Sequence, residues 1–174
     1  MEKVFNNRPL EAYCSESGKP VYYRTTGGRY FNVITNRSTG STQETPICLD
    51  EKLYSSIGCI LSSTLFWYFL QIYTDGLHIK DYEIKNFPIP KLTDNDIQEL
   101  ENIYEQYLED IDKNAITHEA KSYNVATFKE YKIVKSFDYI RQIDDIVCKL
   151  YGLTDEETDY IKNYEIEYRL RDTE

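Results

Sequence analysis

Lys19-Pro20-Val21-Tyr22-Tyr23-Arg24-Thr25-Thr26-Gly27-Gly28-Arg29-Tyr30-Phe31-Asn32-Val33-Ile34-Thr35 is the stretch on which the fold class turns. Residues 19–24 read as a short strand, rich in the aromatic and β-branched types that suit a pleated, half-buried surface. Thr26-Gly27-Gly28 supplies a turn, because glycine takes positive φ at no steric cost. Arg29 to Thr35 then reads as the return strand, which makes the pair a β-hairpin. A hairpin set among helical segments predicts an α+β chain, with a small mixed β region and a helical C-terminal part.

Downstream of the hairpin, Asn36 to Thr45 is polar and reads as a loop, and Ile47 to Leu49 as a further short strand. Lys52 to Leu61 and Ser63 to Tyr73 read as two helical pieces hinged at Ser62, with Asp75-Gly76 ending the second. Leu77 to Pro90 is expected to be extended, with one short helical turn near Asp81. Phe87-Pro88-Ile89-Pro90 stops any helix, since proline lacks the N–H donor and restrains its neighbour. Thr93-Asp94-Asn95-Asp96 caps a long helix whose apolar face is Ile97, Leu100, Ile103, Tyr104, Tyr107, Leu108 and Ile111. Residues 114–135 carry no decisive pattern. Phe137 to Tyr151 is amphipathic and ends at Gly152, and Thr154 caps a last helix expected to run to about Arg169. The division expected is an α+β unit over 1–91, followed by a helical part over 92–174 that packs on it or docks to an upstream domain.

A chain of 174 residues, 41% hydrophobic and 29% charged, is long enough to bury a core without metal or disulfide staples. Its four cysteines, Cys14, Cys48, Cys59 and Cys148, have no zinc-knuckle spacing, and only His78 and His118 stand ready to join them. Reduced thiols in the cytoplasm are the expectation, and the N-terminus has no basic stretch leading into an apolar one, as a signal peptide would. Leu53 to Thr74 is uncharged and long enough to span a bilayer. Ser62-Ser63-Thr64 at its centre favours a broken, buried element instead, so no membrane partner is expected. The net charge of −10 weighs against binding phosphates, but it is unevenly spread. Residues 1–50 sum to +1 and 51–91 to 0, whereas 92–174 hold ten basic residues against twenty-one acidic ones.

No glycine-rich nucleotide turn follows a strand, and no Asn/Asp-Pro-Pro-aromatic loop is present, so no cofactor is expected on this chain. Asp75, Glu83 and Lys85 loosely imitate a magnesium-nuclease cluster, a spacing that is cheap in a chain rich in carboxylates. No catalytic residues and no metal ligands are assigned.

Three stretches resemble the C-terminal target-recognition regions of type IIG restriction–modification enzymes and adenine-specific DNA methyltransferases. The first is Tyr22 to Phe31. The second runs from Ile60-Leu61-Ser62-Ser63-Thr64-Leu65-Phe66-Trp67-Tyr68 through Thr74-Asp75-Gly76 to Phe87-Pro88-Ile89-Pro90. The third comprises Ile143-Asp144-Asp145-Ile146, Leu150 to Glu157, and Tyr164-Glu165-Ile166-Glu167-Tyr168-Arg169. The chain departs from the family in having Ser62 where asparagine is usual; both residues cap helices. The Pro-Ile-Pro exit is also similar to specificity subunits of type I systems.

The resemblance implies a bacterial phage-defence protein that is not itself catalytic and that selects a sequence on double-stranded DNA. An upstream methyltransferase domain of the same polypeptide would bind S-adenosylmethionine and methylate the flipped adenine. On that reading Arg24, Arg29 and Arg37 read guanine edges or grip phosphates, and Asn32 and Asn36 suit adenine. Thr25 and Thr26 bond phosphate oxygens, together with Ser38 and Thr39. His78, Lys80 and Lys85 form a second backbone contact. Tyr22, Tyr30, Phe66, Trp67 and Tyr68 are expected in the core rather than stacked on bases. The alternatives are a phage-exclusion methyltransferase without a fused nuclease, an acidic helical protein-interaction module, and a magnesium-dependent nuclease.

Overall fold

The computed structural model describes residues 1–26, 32–75, 78–122 and 125–170. The chain is α+β: small antiparallel sheets are built from the first ninety residues and from a hairpin in the C-terminal half, and helices make up most of the rest. Helix α1 (Glu2–Phe5) leads to β1 (Arg8–Pro9), and a 3-10 turn then delivers the chain to β2 (Cys14–Arg24), the longest strand. Strand β2 lies between β3 (Ile34–Thr35) and β4 (Glu44–Leu49), antiparallel to both. Tyr22 faces Thr35 and Tyr23 faces Ile34, so the two strands flanking the glycine turn do pair. Gly27 to Phe31, including Arg29 and Tyr30, lie outside the described residues. The longer partner of β2 is β4, which begins at Glu44, inside the stretch expected to be loop.

Alternation along these strands buries Val21, Tyr23, Ile47 and Leu49 and leaves Tyr22 and Cys48 half-buried. The buried face packs on α2 (Tyr54–Leu61), which α3 (Thr64–Tyr73) follows at a 64° bend. The bend falls at Ser62-Ser63, as expected. The Ser62 hydroxyl donates back to the Gly58 carbonyl (2.9 Å), and Ser63 Oγ caps α3 by accepting from the Phe66 N–H (3.3 Å). Among the described residues no single helix is long and apolar enough to cross a membrane, and most of α2 and α3 is buried inside the fold.

The short helical turn expected near Asp81 is α4 (Asp81–Lys85), and the exit from it forms β5 (Pro88–Ile89), paired with β1. Helix α5 (Asp94–Lys113) opens with the expected capping box, Thr93 and Asp96 bonding each other's backbone N–H. Its expected apolar face is buried except Ile97, which is half-buried. Helix α5 lies against α2, where Gly58 admits the Tyr104 ring so closely that an added Cβ would sit 2.8 Å from the hydroxyl. The unassigned stretch forms a hairpin, β6 (Ile116–Ser122) and β7 (Val125–Glu130).

Helix α6 (Phe137–Leu150) ends in a Schellman cap at Gly152 (φ +66°), with the Leu153 N–H bonded to the Cys148 carbonyl (3.0 Å). The last expected helix is broken in two. Helix α7 (Asp155–Asn163) stops at Tyr164, Glu165 takes a left-handed φ of 52°, and α8 (Ile166–Arg169) follows. One core cluster runs from Val4 to Ile161 through both halves of the chain. The four cysteines are free thiols, Cys59 and Cys148 buried.

Candidate functional site

The expected contact residues fall into three places. The first is the end of β2. Thr25 donates its N–H (2.8 Å) and its hydroxyl (3.1 Å) to the Gln43 carbonyl, and the Thr26 hydroxyl reaches Gln43 Oε1 (2.7 Å). An antiparallel bridge joins Thr26 to His78, and the Ile79 N–H donates to the Thr25 carbonyl (3.0 Å). Arg24, Thr25 and Thr26 therefore stand beside His78, Ile79 and Lys80, two segments far apart in sequence. Lys80 is exposed; its ammonium lies 3.5 Å from Asp75 and 3.6 Å from Glu83. Tyr82, then Asp75 and Glu83, hold that ammonium above the usual lysine range.

Two donors here are unmatched among the described residues: Arg24 Nε and Asn32 Nδ2 are buried and bond to nothing. Glu44, opposite Arg24 in the ladder, is occupied elsewhere. It accepts from the Thr39 N–H (2.9 Å), the Thr39 hydroxyl (2.5 Å) and the Ser38 hydroxyl. Ser38 and Thr39 are thus spent on folding their own loop. Asn36 is half-buried in the bend after β3.

The second place is the flank of α5. Arg37 donates to Asp112 and to the Leu108 carbonyl (3.4 Å), and Asp112 also takes Lys129 (2.9 Å) and the Tyr131 hydroxyl (2.8 Å). Burial pushes the Asp112 carboxyl up, but the bonds from Lys129 and Tyr131 and the charge of Arg37 outweigh it and hold the group below the carboxylate range. The third place is the cleft beside Cys14 and Cys48, where Lys85 pairs with Asp81 (2.6 Å). Glu83 is buried and accepts from the Lys80 N–H (2.8 Å), while Asp75 accepts from the His78 N–H (3.0 Å). Asp75, Glu83 and Lys85 therefore serve turn and cap. Among the described residues no group of three or more metal-ligating side chains forms.

A polar centre that the sequence did not assign lies at the α2–α3 break. Asp144 of α6 is fully buried, and its Oδ1 accepts the Thr64 N–H (2.6 Å), placing a carboxylate at the start of α3. Arg169 of α8 is buried beside it, its guanidinium donating to the Thr64 hydroxyl (3.2 Å) and lying 4.5 Å from the Trp67 ring centre. Burial raises the Asp144 carboxyl to about 6 against the pull of the Thr64 bonds and of Arg169. Burial likewise lowers Arg169 to about 10, with Asp144 opposing. At neutral pH both groups carry charge. The second and third resembling stretches thus meet in space, as they do again where the Tyr151 hydroxyl donates to the Pro88 carbonyl (2.5 Å). Phe66 and Trp67 are buried, and Tyr22 and Tyr68 are half-buried.

The sequence matches no protein-family model, no curated protein and no solved structure.

Proposed function

We propose that this chain recognises a sequence on double-stranded DNA, as the C-terminal target-recognition region of a type II restriction–modification enzyme or N6-adenine DNA methyltransferase. Catalysis and S-adenosylmethionine binding belong, on this reading, to a methyltransferase domain elsewhere in the polypeptide, and the assembly works in the bacterial cytoplasm against phage DNA.

The observation that carries the reading is the Thr26–His78 bridge, which brings the two basic segments singled out in the sequence to one end of the three-stranded sheet. The buried, unmatched donors of Arg24 and Asn32 support it. A buried donor without an acceptor costs about 1–3 kcal/mol. Turning the Arg24 side chain onto a phosphate oxygen or a guanine edge recovers that cost, so DNA is bound partly at the expense of a penalty already present in the free protein.

The test is binding to a mixed pool of duplex DNA across a salt series. The double variant Arg24→Ala/Lys80→Ala is compared with the charge-matched Lys52→Ala/Lys91→Ala, which alters two exposed lysines outside the convergent segments. Each lost phosphate contact should reduce the log–log salt slope by about 0.9. The first pair should therefore lose up to roughly two units of slope and the second close to none. Equal effects of the two pairs, or no binding at low salt, refute the assignment.

A further inference from the structure

A groove of 340 Å³ opens between α3 and α7, floored by Val4, Leu65 and Ile161 and walled by Tyr68 and Tyr160. Its apolar character continues past its mouth. Leu65, Tyr68 and Ile72 follow one another at the spacing of a single helical face, and Phe5 meets Tyr73 edge-on at 5.1 Å. Phe5, Ile72, Tyr73 and Tyr160 are all exposed, Tyr160 by 57%. These rings are held before any partner arrives: Tyr68 lies 6.0 Å from Tyr160 and 4.8 Å from Tyr164. Fixed aromatic walls lose little freedom on contact, which is how interface anchors behave.

We propose that this groove docks an amphipathic helix of a protein partner, one that carries lysine or arginine beside its apolar stripe. Charge selects the occupant. Glu156 and Glu157 form the lip of the groove, and Asp155 stands with them in the exposed first turn of α7. Lys3 bridges to Glu157 at 2.6 Å and the amino terminus at Met1 also acts on that carboxylate, whereas among the described residues neither Glu156 nor Asp155 forms an ion pair, so those two carry the charge the lip presents. Residues 92–174, to which α7 belongs, hold twenty-one acidic residues against ten basic ones. DNA is repelled by such a face, and a second copy would bring two acidic lips together. A basic helix instead gains at the rim while its stripe fills the groove. Leu65 to Ile72 spans about 10 Å, two helical turns, and so matches a partner presenting anchors at i, i+3 or i+4, and i+7.

The probes are two designed helical peptides with the same leucine stripe, one flanked by lysines and one by glutamates, titrated by fluorescence anisotropy. The lysine peptide should bind saturably and the glutamate peptide at least about tenfold more weakly. Tyr160→Ser and Glu156→Lys should each weaken the lysine peptide by roughly tenfold, the loss expected of an interface anchor. Tyr82→Ser, at a tyrosine equally exposed on α4 (58%), should leave it unchanged. Both Tyr160 and Glu156 are surface positions, and circular dichroism melts confirm that the variants remain folded. The proposal is overturned by equal binding of the two peptides, by absence of saturable binding, or by an equal loss from Tyr82→Ser. It is likewise overturned if sedimentation shows a homodimer that Tyr160→Ser dissolves.

Discussion

Replacing Asp144 with asparagine removes one charge from a fully buried polar contact and keeps a carbonyl oxygen for the Thr64 N–H. In the unaltered chain burial raises this carboxyl from an ordinary 3.8 to about 6. A carboxyl whose folded pKa lies above its unfolded value holds its proton more tightly in the native state. Its contribution to stability is complete below about pH 4 and is lost as the pH rises through about 6. A shift of roughly two units is worth about 3 kcal/mol, at about 1.4 kcal/mol per unit. Asparagine has no such proton, so the stability of Asp144→Asn relative to the parent should climb by ~3 kcal/mol between pH 4 and pH 7. Urea unfolding of both proteins across that range reads the difference directly, provided the slope m is unchanged. Taking the difference cancels the carboxyls held low by their own partners, Asp96, Asp112, Glu130 and Glu157, which lose their stabilising contribution as the pH falls. A flat difference, or a variant that loses ground as the pH rises, would show that the Arg169 guanidinium outweighs desolvation at this carboxyl and would refute the reasoning.

Thr93→Ala removes the hydroxyl that accepts the Asp96 N–H and donates to its carboxylate, keeps the backbone N–H bond to that carboxylate, and should cost about 1 kcal/mol by urea unfolding, with Thr93→Ser close to neutral. Gly58→Ala places a methyl 2.8 Å from the Tyr104 hydroxyl at the α2–α5 contact. It should cost about 1–3 kcal/mol, and Tyr104→Phe in the same chain should restore little of the loss, because the ring carbons Cε1 (2.9 Å) and Cζ (3.0 Å) crowd the methyl as well and the bond to the Ile34 carbonyl is lost. A double variant restored to the parent's stability would show that the ring does not crowd the methyl.

Local chemistry made several elements readable. Ser62-Ser63 broke the apolar run, Thr93 and Thr154 announced helix starts, and Gly152 announced a stop, each because one residue satisfies a backbone group within a few positions of itself. What failed to show depended on distant partners. None of the side chains described in the β6–β7 hairpin is fully buried, so those positions carry no apolar alternation to read. Glu44 and Thr45 look like loop residues and become strand only because Arg24 and Tyr23 lie opposite them. Tyr164 to Arg169 is good helical sequence, yet it breaks at Glu165, where Tyr164 packs on Trp67 and Tyr68 and Arg169 reaches Thr64. At the candidate site, Arg24, Thr26, His78 and Lys80 were singled out as two groups. That they adjoin rests on one bridge between remote residues, and no local pattern encodes it.

The same distinction ranks the cations of the candidate site. A net charge of −10 is tolerable for a DNA-binding chain only if its acids are turned toward its own bases, and much of that pairing is visible. Asp112 takes Arg37 and Lys129, Glu130 takes Lys132, Asp145 takes Lys162, Asp81 takes Lys85, and Asp75 and Glu83 flank Lys80. Arg37 is therefore already paired within the fold, and recruiting it to a phosphate means breaking a contact that also holds the loop to α5. Arg24 is different: among the described residues no carboxylate pairs with it, the one opposite it in the ladder is occupied by Ser38 and Thr39, and its Nε is buried without an acceptor. Among the described residues its charge and its Nε donor are both without a partner, so on the proposed reading a phosphate or base edge would gain an interaction there without displacing one of those described. In the DNA-binding comparison proposed above, the greater part of the lost affinity should accordingly come from Arg24 rather than from Lys80, whose ammonium has two carboxylates to return to.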